Sequence, residues 1–172
     1  MSEHQATHAL RKAFHEADAH NYFHVPVALF GERSSYPGDF GAFEALSTDR
    51  VLAEGDTIIL DAAPIFDGYT VDTSHAVNIG NSAVFEELDR HLPVLRDLIK
   101  NRINESGTFQ KIAWEVDDYI RSHGYENCHR FEEILIVDED GARWLAEDLP
   151  HHRRWSAYDT AKVSEPLQQT GA

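Results

Sequence analysis

Cysteine, basic residues and long apolar runs are all scarce in this sequence. Cys128 is the single cysteine among 172 residues, so the chain forms no internal disulfide and suits a reducing cytoplasm. Fifteen Lys and Arg residues face 30 Asp and Glu residues, and the net charge of −15 opposes binding to nucleic-acid phosphates and anionic membranes. The longest apolar runs, such as residues 25–30, are too short to cross a bilayer, and residues 1–14 contain no apolar signal segment. We therefore expect a cytoplasmic protein whose partner is neither a membrane nor a nucleic acid.

Apolar residues make up 42% of the chain, which is enough for a hydrophobic core. Apolar residues at three- and four-residue steps predict helices, and apolar runs bounded by turn residues predict strands. The predicted helices are residues 5–19, 83–104 and 108–123, and the predicted strands are residues 22–30, 57–63, 69–77 and 131–137. This order predicts an α+β fold, a mostly antiparallel sheet with helices on one face. Residues 31–50 are predicted to form a long loop.

An Asp-Gly pair at residues 67–68 separates the two central strand patterns and predicts a tight hairpin turn. Counting outward from this turn places Asp61 opposite Ser74. Side chains alternate along a strand, so Asp72 shares a face with Ser74 and is a diagonal neighbour of Asp61. Two carboxylates are therefore expected side by side on one face of the hairpin.

Two interpretations of this carboxylate pair remain open. The residues around it, Ile59, Ala63 and Ala76, are apolar, which indicates an inward face where Asp61 and Asp72 would repel each other. A divalent cation with oxygen ligands would relieve that repulsion. Alternatively, both residues are ordinary charges on a solvated hairpin face.

A third acidic position lies on the last predicted strand. Alternation places Glu132 on the face of Ile134 and Ile136, and places Glu133 on the opposite face. One glutamate is then directed inward and the other outward. Alternatively, both are charges near a strand end.

Residues 52–80 resemble the metal-binding hairpin of the M24 metallopeptidases, the pita-bread family of methionine aminopeptidase, Xaa-Pro aminopeptidase, prolidase and creatinase. That hairpin has a Gly-Asp pair, an apolar strand that ends in Asp, a turn with an aromatic residue, and a second Asp followed by hydroxyl residues. The matching positions here are Gly55-Asp56, Asp61, Gly68-Tyr69 and Asp72-Thr73-Ser74. Residues 131–145 resemble the last core strand of the family, and counting back from Gly141 places the family's ligand glutamate at Glu132.

The resemblance implies an incomplete pita-bread fold and a divalent metal: Mn, Co, Zn or Fe. It implies that Asp61, Asp72 and Glu132 are metal ligands. A complete family site also has a histidine and a second glutamate, which come between the second helix and the last strand, where this chain is short. We therefore expect one ion rather than two. His129 is a candidate replacement ligand or a surface loop histidine, and His24 is a candidate substrate contact or a half-buried strand histidine.

Two functions follow from the resemblance. The first is a metallopeptidase of the aminopeptidase or Xaa-Pro type that hydrolyses peptide bonds with metal-activated water at an incomplete site. The alternative is a non-catalytic pita-bread module that binds a peptide ligand. Residues 1–150 are expected to form one incomplete domain, and residues 151–172 a polar, solvated C-terminal tail. A sheet without its middle strands would expose an edge or an apolar face, so a homodimer or a tendency to aggregate is also expected.

Overall fold

The computed structural model describes residues 1–35, 46–126, 133–145 and 150–158. This part of the chain combines α-helices with antiparallel β-sheets, as the sequence predicts. It forms two compact units. The first holds the described residues up to Ser82 together with Glu133 and Ile134, and the second holds those from Ala83 to Glu126 and from Leu135 onwards. None of the helices in these ranges is long and apolar enough to cross a membrane.

The bounds of the predicted helices are close to those observed, whereas the predicted strand over residues 69–77 is interrupted at residues 71–72 and its two parts lie in different sheets. The helices are α1 (Glu3–Glu16), α2 (Ala83–Asn104), α3 (Phe109–Ser122) and α4 (Pro150–Trp155), with a short 3-10 helix at Gly31–Ser34. The strands are β1 (Asn21–Tyr22), β2 (Val27–Phe30), β3 (Thr57–Ala62), β4 (Pro64–Phe66), β5 (Tyr69–Thr70), β6 (Thr73–Asn78), β7 (Leu135–Asp138) and β8 (Gly141–Trp144). Helix α1 begins before the predicted residue 5, because the side chains of Ser2 and Gln5 form a capping box around its first turn.

The prediction of one continuous strand over residues 22–30 is wrong. The chain bends at residues 23–24, so β1 and β2 are separate strands in different sheets. Strand β1 pairs with β4, and β2 pairs with β3. Pro26, which is fully buried, lies just before β2, a position where its missing N–H costs no ladder hydrogen bond.

Strand β3 is the centre of the first unit. It pairs with β2 on one edge and with β6 on the other, both antiparallel. Asp61 lies opposite Ser74, which confirms the register counted from the turn. Asp67 and Gly68 both have positive φ, 50° and 86°, as a type I′ hairpin turn requires. The core of this unit is buried around Ala28, Phe30 and Ile58, a cluster to which helix α1 contributes Ala6.

A buried carboxylate joins α1 to the sheet. Glu3 is fully buried, and its oxygens accept hydrogen bonds from the Phe30 amide (2.8 Å) and the Thr48 amide (2.8 Å). The Thr48 hydroxyl donates a further bond at 2.7 Å, and Arg33 Nε lies 3.0 Å from Glu3 Oε2. Each of these donors offsets the cost of removing the carboxylate from water.

A second ion pair, between Arg50 and Asp56, lies directly before the start of β3. Arg50 donates two hydrogen bonds to Asp56, from Nη1 to Oδ2 at 2.6 Å and from Nη2 to Oδ1 at 2.9 Å. The hydrogen bonds from Arg50 hold the pKa of the Asp56 carboxyl below its usual value. Gly31 lies against this pair with φ at +57°. The Gly-Asp pair at 55–56 therefore has a structural role directly before the start of β3.

The second unit consists of α2, α3, the β7–β8 hairpin and α4. Asn104 Oδ1 at the end of α2 accepts a hydrogen bond from the Ala142 amide at 2.7 Å. Between the helices, His91 Nδ1 lies 2.9 Å from the Tyr119 hydroxyl. Burial, with the nearby His123, lowers the pKa of His91. Within the described residues the predicted strand at 131–137 is formed only from Leu135 onwards, where β8 provides a partner.

Residues 150–155 form helix α4. The expectation of a solvated tail is wrong for Arg154 of this helix, because its side chain binds a buried carboxylate. Arg154 donates two hydrogen bonds to Asp89 of α2, which is 1% exposed. The Trp155 indole N–H and the Tyr158 hydroxyl also donate to Asp89, at 3.1 and 2.7 Å. Burial, together with the bond to Asp89, raises the pKa of Tyr158 to about 12. Four donors therefore converge on one buried carboxylate.

The first prediction concerns Gly31. In Gly31→Ala the new methyl group would overlap Arg50 Nη2 and lie 2.6 Å from Asp56 Oδ1, so the ion pair must move. We expect the free energy of unfolding to fall by about 3 kcal/mol, from positive-φ strain and overpacking together. Gly55→Ala is the matched control, because Gly55 also has positive φ (+87°) but open space around it. Urea denaturation should show a loss of only about 1 kcal/mol for Gly55→Ala; equal losses in the two variants would contradict the steric argument.

A second prediction uses the lowered pKa of Asp56. The carboxylate stabilises the fold above its unfolded pKa of about 4, and this contribution is lost as pH falls through its lower folded pKa. Asp56→Asn should therefore be less stable than the parent at pH 7, and the difference should shrink as pH falls below about 4. Urea denaturation across this range measures it. Asp67→Asn, at the exposed turn, removes the same charge without the Arg50 pair; a constant difference for Asp56→Asn would argue against the linkage.

Candidate metal centre

Three side chains from separate segments of the first unit converge on one point. Asp61 is supplied by β3, Asp72 by the two-residue link between β5 and β6, and His24 by the bend between β1 and β2. His24 Nε2 lies 3.2 Å from Asp72 Oδ1 and 3.7 Å from Asp61 Oδ1. One potential ligand atom from each residue lies within 4.8 Å of the other two. The described residues contain no other group of three His, Cys, Asp or Glu side chains at this spacing.

The local sequence explains the position of the two carboxylates. The pairing of Asp61 with Ser74 puts Asp72, two residues earlier, next to Asp61 on the same face. Ser74 and Ala76 are each 2% exposed and Ile59 is 3% exposed, so this face of the hairpin is directed into the unit. The predicted proximity of Asp61 and Asp72 is thus confirmed, and the residues around them are buried, whereas the side chain of Asp72 itself is 44% exposed.

The hydrogen bonds of His24 determine which of its two ring nitrogens carries a proton and which has a free lone pair. Nδ1 lies 3.2 Å from the Val25 carbonyl oxygen, which only accepts, so Nδ1 carries a proton. In the neutral ring Nε2 is then a lone pair that faces two carboxylates. A positive charge between Nε2 and the two carboxylates would stabilise this arrangement, and either a proton on Nε2 or a bound cation would supply it.

Electrostatics at His24 agree with this requirement. Burial alone lowers the pKa of His24. The bonds with the Val25 carbonyl and Asp72, and the negative charges of Asp61 and Asp72, outweigh burial and raise the pKa above its usual value. The three side chains are between 21% and 44% exposed, so the cluster is accessible from solvent.

The donor set fits a divalent transition metal. Two carboxylate oxygens and one imidazole nitrogen suit Mn, Co, Zn and Fe, all of which accept mixed oxygen and nitrogen ligands. The bond from His24 Nδ1 to the Val25 carbonyl is the outer contact that commonly fixes the tautomer of a ligating histidine. His24, Asp61 and Asp72 are therefore the residues that would hold such an ion.

Sequence reasoning treated His24 as a substrate contact or a strand histidine, and did not place it between the carboxylates. The missed signal is the pairing of Val27 with Asp61, which brings the residues before β2 near the end of β3. Glu132 and His129 lie outside the described residues, so their roles stay predictions. Glu133 is described and partly buried, but the choice between the two glutamates stays a prediction as well.

The family model of the Peptidase_M24 proteins, described as metallopeptidase family M24, matches residues 1–152. This chain belongs to metallopeptidase family M24. Family M24 enzymes use divalent metals in general, which agrees with the chemistry of the three converging side chains. A search of the curated proteins finds no match to the chain.

Solved structures similar to this M24 chain are peptidases of the pita-bread fold. The X-Pro aminopeptidase of Thermotoga maritima MSB8 matches with a TM-score of 0.71 and 17% identity, over 84% of this chain and 53% of that chain. The dipeptidase of Pyrococcus horikoshii OT3 matches with a TM-score of 0.65 and 16% identity, over 84% and 52%. The Xaa-Pro dipeptidase of Bacillus anthracis matches with a TM-score of 0.63 and 15% identity, over 97% and 54%. The chain thus spans about half the length of these structures.

The third prediction tests cation binding at the centre. Mn²⁺ should stabilise the parent protein because it neutralises the facing carboxylates, by about 2.7 kcal/mol at one hundred times its dissociation constant. Melting curves with and without Mn²⁺ measure the effect. Asp72→Asn should lose most of the shift, whereas Asp67→Asn, the same change at the exposed turn of the same hairpin, should keep it. A parent protein with no Mn²⁺-dependent shift would remove the cation site.

Proposed function

We propose that this chain is a metal-dependent peptide hydrolase with a single-ion centre formed by Asp61, Asp72 and His24. The observation that supports it best is the convergence of two carboxylates and one imidazole nitrogen within 4.8 Å. Membership of family M24 supplies the reaction class, because peptidases of this family act on peptides. The solved relatives named above suggest a substrate with proline after the scissile bond.

The side chains have distinct tasks in this proposal. Asp61, held by pairing on both edges of β3, provides a fixed oxygen ligand. Asp72, which is more exposed, provides a second oxygen on the solvent side. His24 is oriented by the Val25 carbonyl so that Nε2 faces the ion. A bound divalent ion supplies Lewis acidity, which activates water and polarises the scissile carbonyl.

One ion, rather than the two of a complete family site, is also part of the proposal. The described residues bring together one group of three potential ligands, and Glu132 is the expected fourth ligand. A site for two metal ions needs a further histidine and a further glutamate, and His129 is a candidate for the histidine. We therefore propose Mn, Co, Zn or Fe as a single ion. Localisation in the cytoplasm and a homodimer stay predictions.

The alternative function is a non-catalytic peptide-binding module. The observation that favours it is the short stretch of residues 123–134 between α3 and β7, where a complete family site would have its histidine and second glutamate. A module of this kind would keep the hairpin and its carboxylates and bind a peptide next to the ion. Hydrolysis distinguishes it from the first proposal.

The fourth prediction is the rate of peptide hydrolysis. Metal-stripped protein reloaded with Mn²⁺ or Co²⁺ should cleave Xaa-Pro peptides far more slowly than the T. maritima X-Pro aminopeptidase assayed in parallel. The reason is that one ion stabilises less of the developing charge than two. Asp72→Asn should abolish turnover and Asp67→Asn should keep it.

Two other outcomes have clear meanings. Peptide binding without any turnover would favour the binding module. Turnover equal to that of the T. maritima enzyme and lost in Asp72→Asn would show a complete catalytic site, and would contradict the single-ion proposal.

A further inference from the structure

A second cluster of metal-ligating side chains lies at the end of α1, outside the centre described above. His15 Nδ1 and His20 Nδ1 are 2.8 Å apart, and the two rings meet edge to face with centroids separated by 4.4 Å. His20 Nε2 lies 2.9 Å from Asp18 Oδ1. All three residues are exposed, so their free edges face solvent.

The end of α1 is built to bring these two histidines together. The amide of Ala19 donates to the carbonyl of Phe14, and that of Asp18 to the carbonyl of His15, which is the pattern of a Schellman motif. Asp18 takes the left-handed position of this motif with φ at 69°. Ala19 is fully buried and anchors the turn, so the chain reverses and returns His20 to the last turn of the helix.

The spacing of the nitrogen atoms matches two adjacent ligands of one metal ion. Two metal–nitrogen bonds of about 2.0 Å that enclose about 90° place the nitrogen atoms about 2.8 Å apart. A tetrahedral angle would place them about 3.3 Å apart. The observed 2.8 Å is the length of the hydrogen bond between the two rings, and it also equals the separation of two adjacent ligands in square-planar or tetragonal geometry, which Cu(II) and Ni(II) prefer with nitrogen ligands.

The bond to Asp18 fixes the tautomer that ligation needs. A carboxylate oxygen only accepts, so His20 Nε2 carries the proton and Nδ1 of the neutral ring is a lone pair. A carboxylate behind a histidine is also the usual outer partner of metal-binding histidines. Without metal, His15 Nδ1–H donates to His20 Nδ1. With metal, that proton moves to the solvent-exposed Nε2 of His15, so both Nδ1 atoms are free and no proton is lost.

We propose that His15 and His20 form a second divalent-metal site, selective for Cu(II) or Ni(II), with Asp18 as its positioning residue. Water molecules complete the coordination. The site does not depend on Asp61, Asp72 or His24, and it does not depend on the proposed peptidase activity.

The fifth prediction is tested by Cu(II) titration of the whole chain, followed by calorimetry and electron paramagnetic resonance. His15→Ala and His20→Ala should each bind one equivalent fewer than the parent, and the parent signal at that equivalent should show two nitrogen ligands. His8→Ala, an exposed histidine of the same helix, is the control and should bind as the parent does. Asp18→Asn should weaken binding about tenfold at an unchanged stoichiometry. Asparagine tolerates the left-handed conformation at position 18, and circular dichroism confirms the fold of every variant.

The same data can overturn the site. If His8→Ala loses as much Cu(II) as His15→Ala, or if neither loses any, the histidines of α1 take up an adventitious ion only. Asp72→Asn separates the two sites, because it should lose most of the Mn²⁺ shift and leave the His15–His20 equivalent unchanged. Loss of that equivalent in Asp72→Asn would show that it belongs to the first centre.

Discussion

Strand β3 is hydrogen-bonded along both of its edges, and the geometry of the candidate metal centre depends on this double pairing. Pairing with β6 sets Asp61 opposite Ser74, and pairing with β2 sets Asp61 opposite Val27. A shift of one residue on either edge would send Asp61 to the other face of the sheet. The centre is thus attached to a strand that is paired on both edges, which suits a site whose ligands must keep a fixed separation.

Five buried or half-buried acidic groups among the described residues fall into two classes. Glu3, Asp56 and Asp89 each accept hydrogen bonds from an arginine together with other donors, so their charge is balanced by the protein itself. Asp61 and Asp72 instead face the same imidazole nitrogen. The arginine-paired carboxylates hold segments of the fold together, whereas the pair at His24 favours a cation from solution.

How much of this the sequence could predict depends on the range of the interaction. The Asp61–Asp72 pair follows from alternation and one Asp-Gly turn, both local, so the sequence was sufficient. His24 reaches the pair through the pairing of β1 with β4 and of β2 with β3, both across about 35 residues or more, which no local pattern encodes. The break in the predicted strand 22–30 has the same cause, because its two halves pair with different strands.

The contact of Arg154 could not be predicted from local sequence patterns either, because its partner Asp89 lies 65 positions away in the sequence. The contact changes how the polar segment after Pro150 should be regarded. The polar composition of this segment alone would place a domain boundary before it. A shortened protein designed on that basis would lack the segment. Yet its arginine, indole and phenol groups solvate a carboxylate that is 1% exposed in α2. Cutting there would leave an anion inside the second unit without its donors, so Arg154, Trp155 and Tyr158 contribute to the interior of that unit.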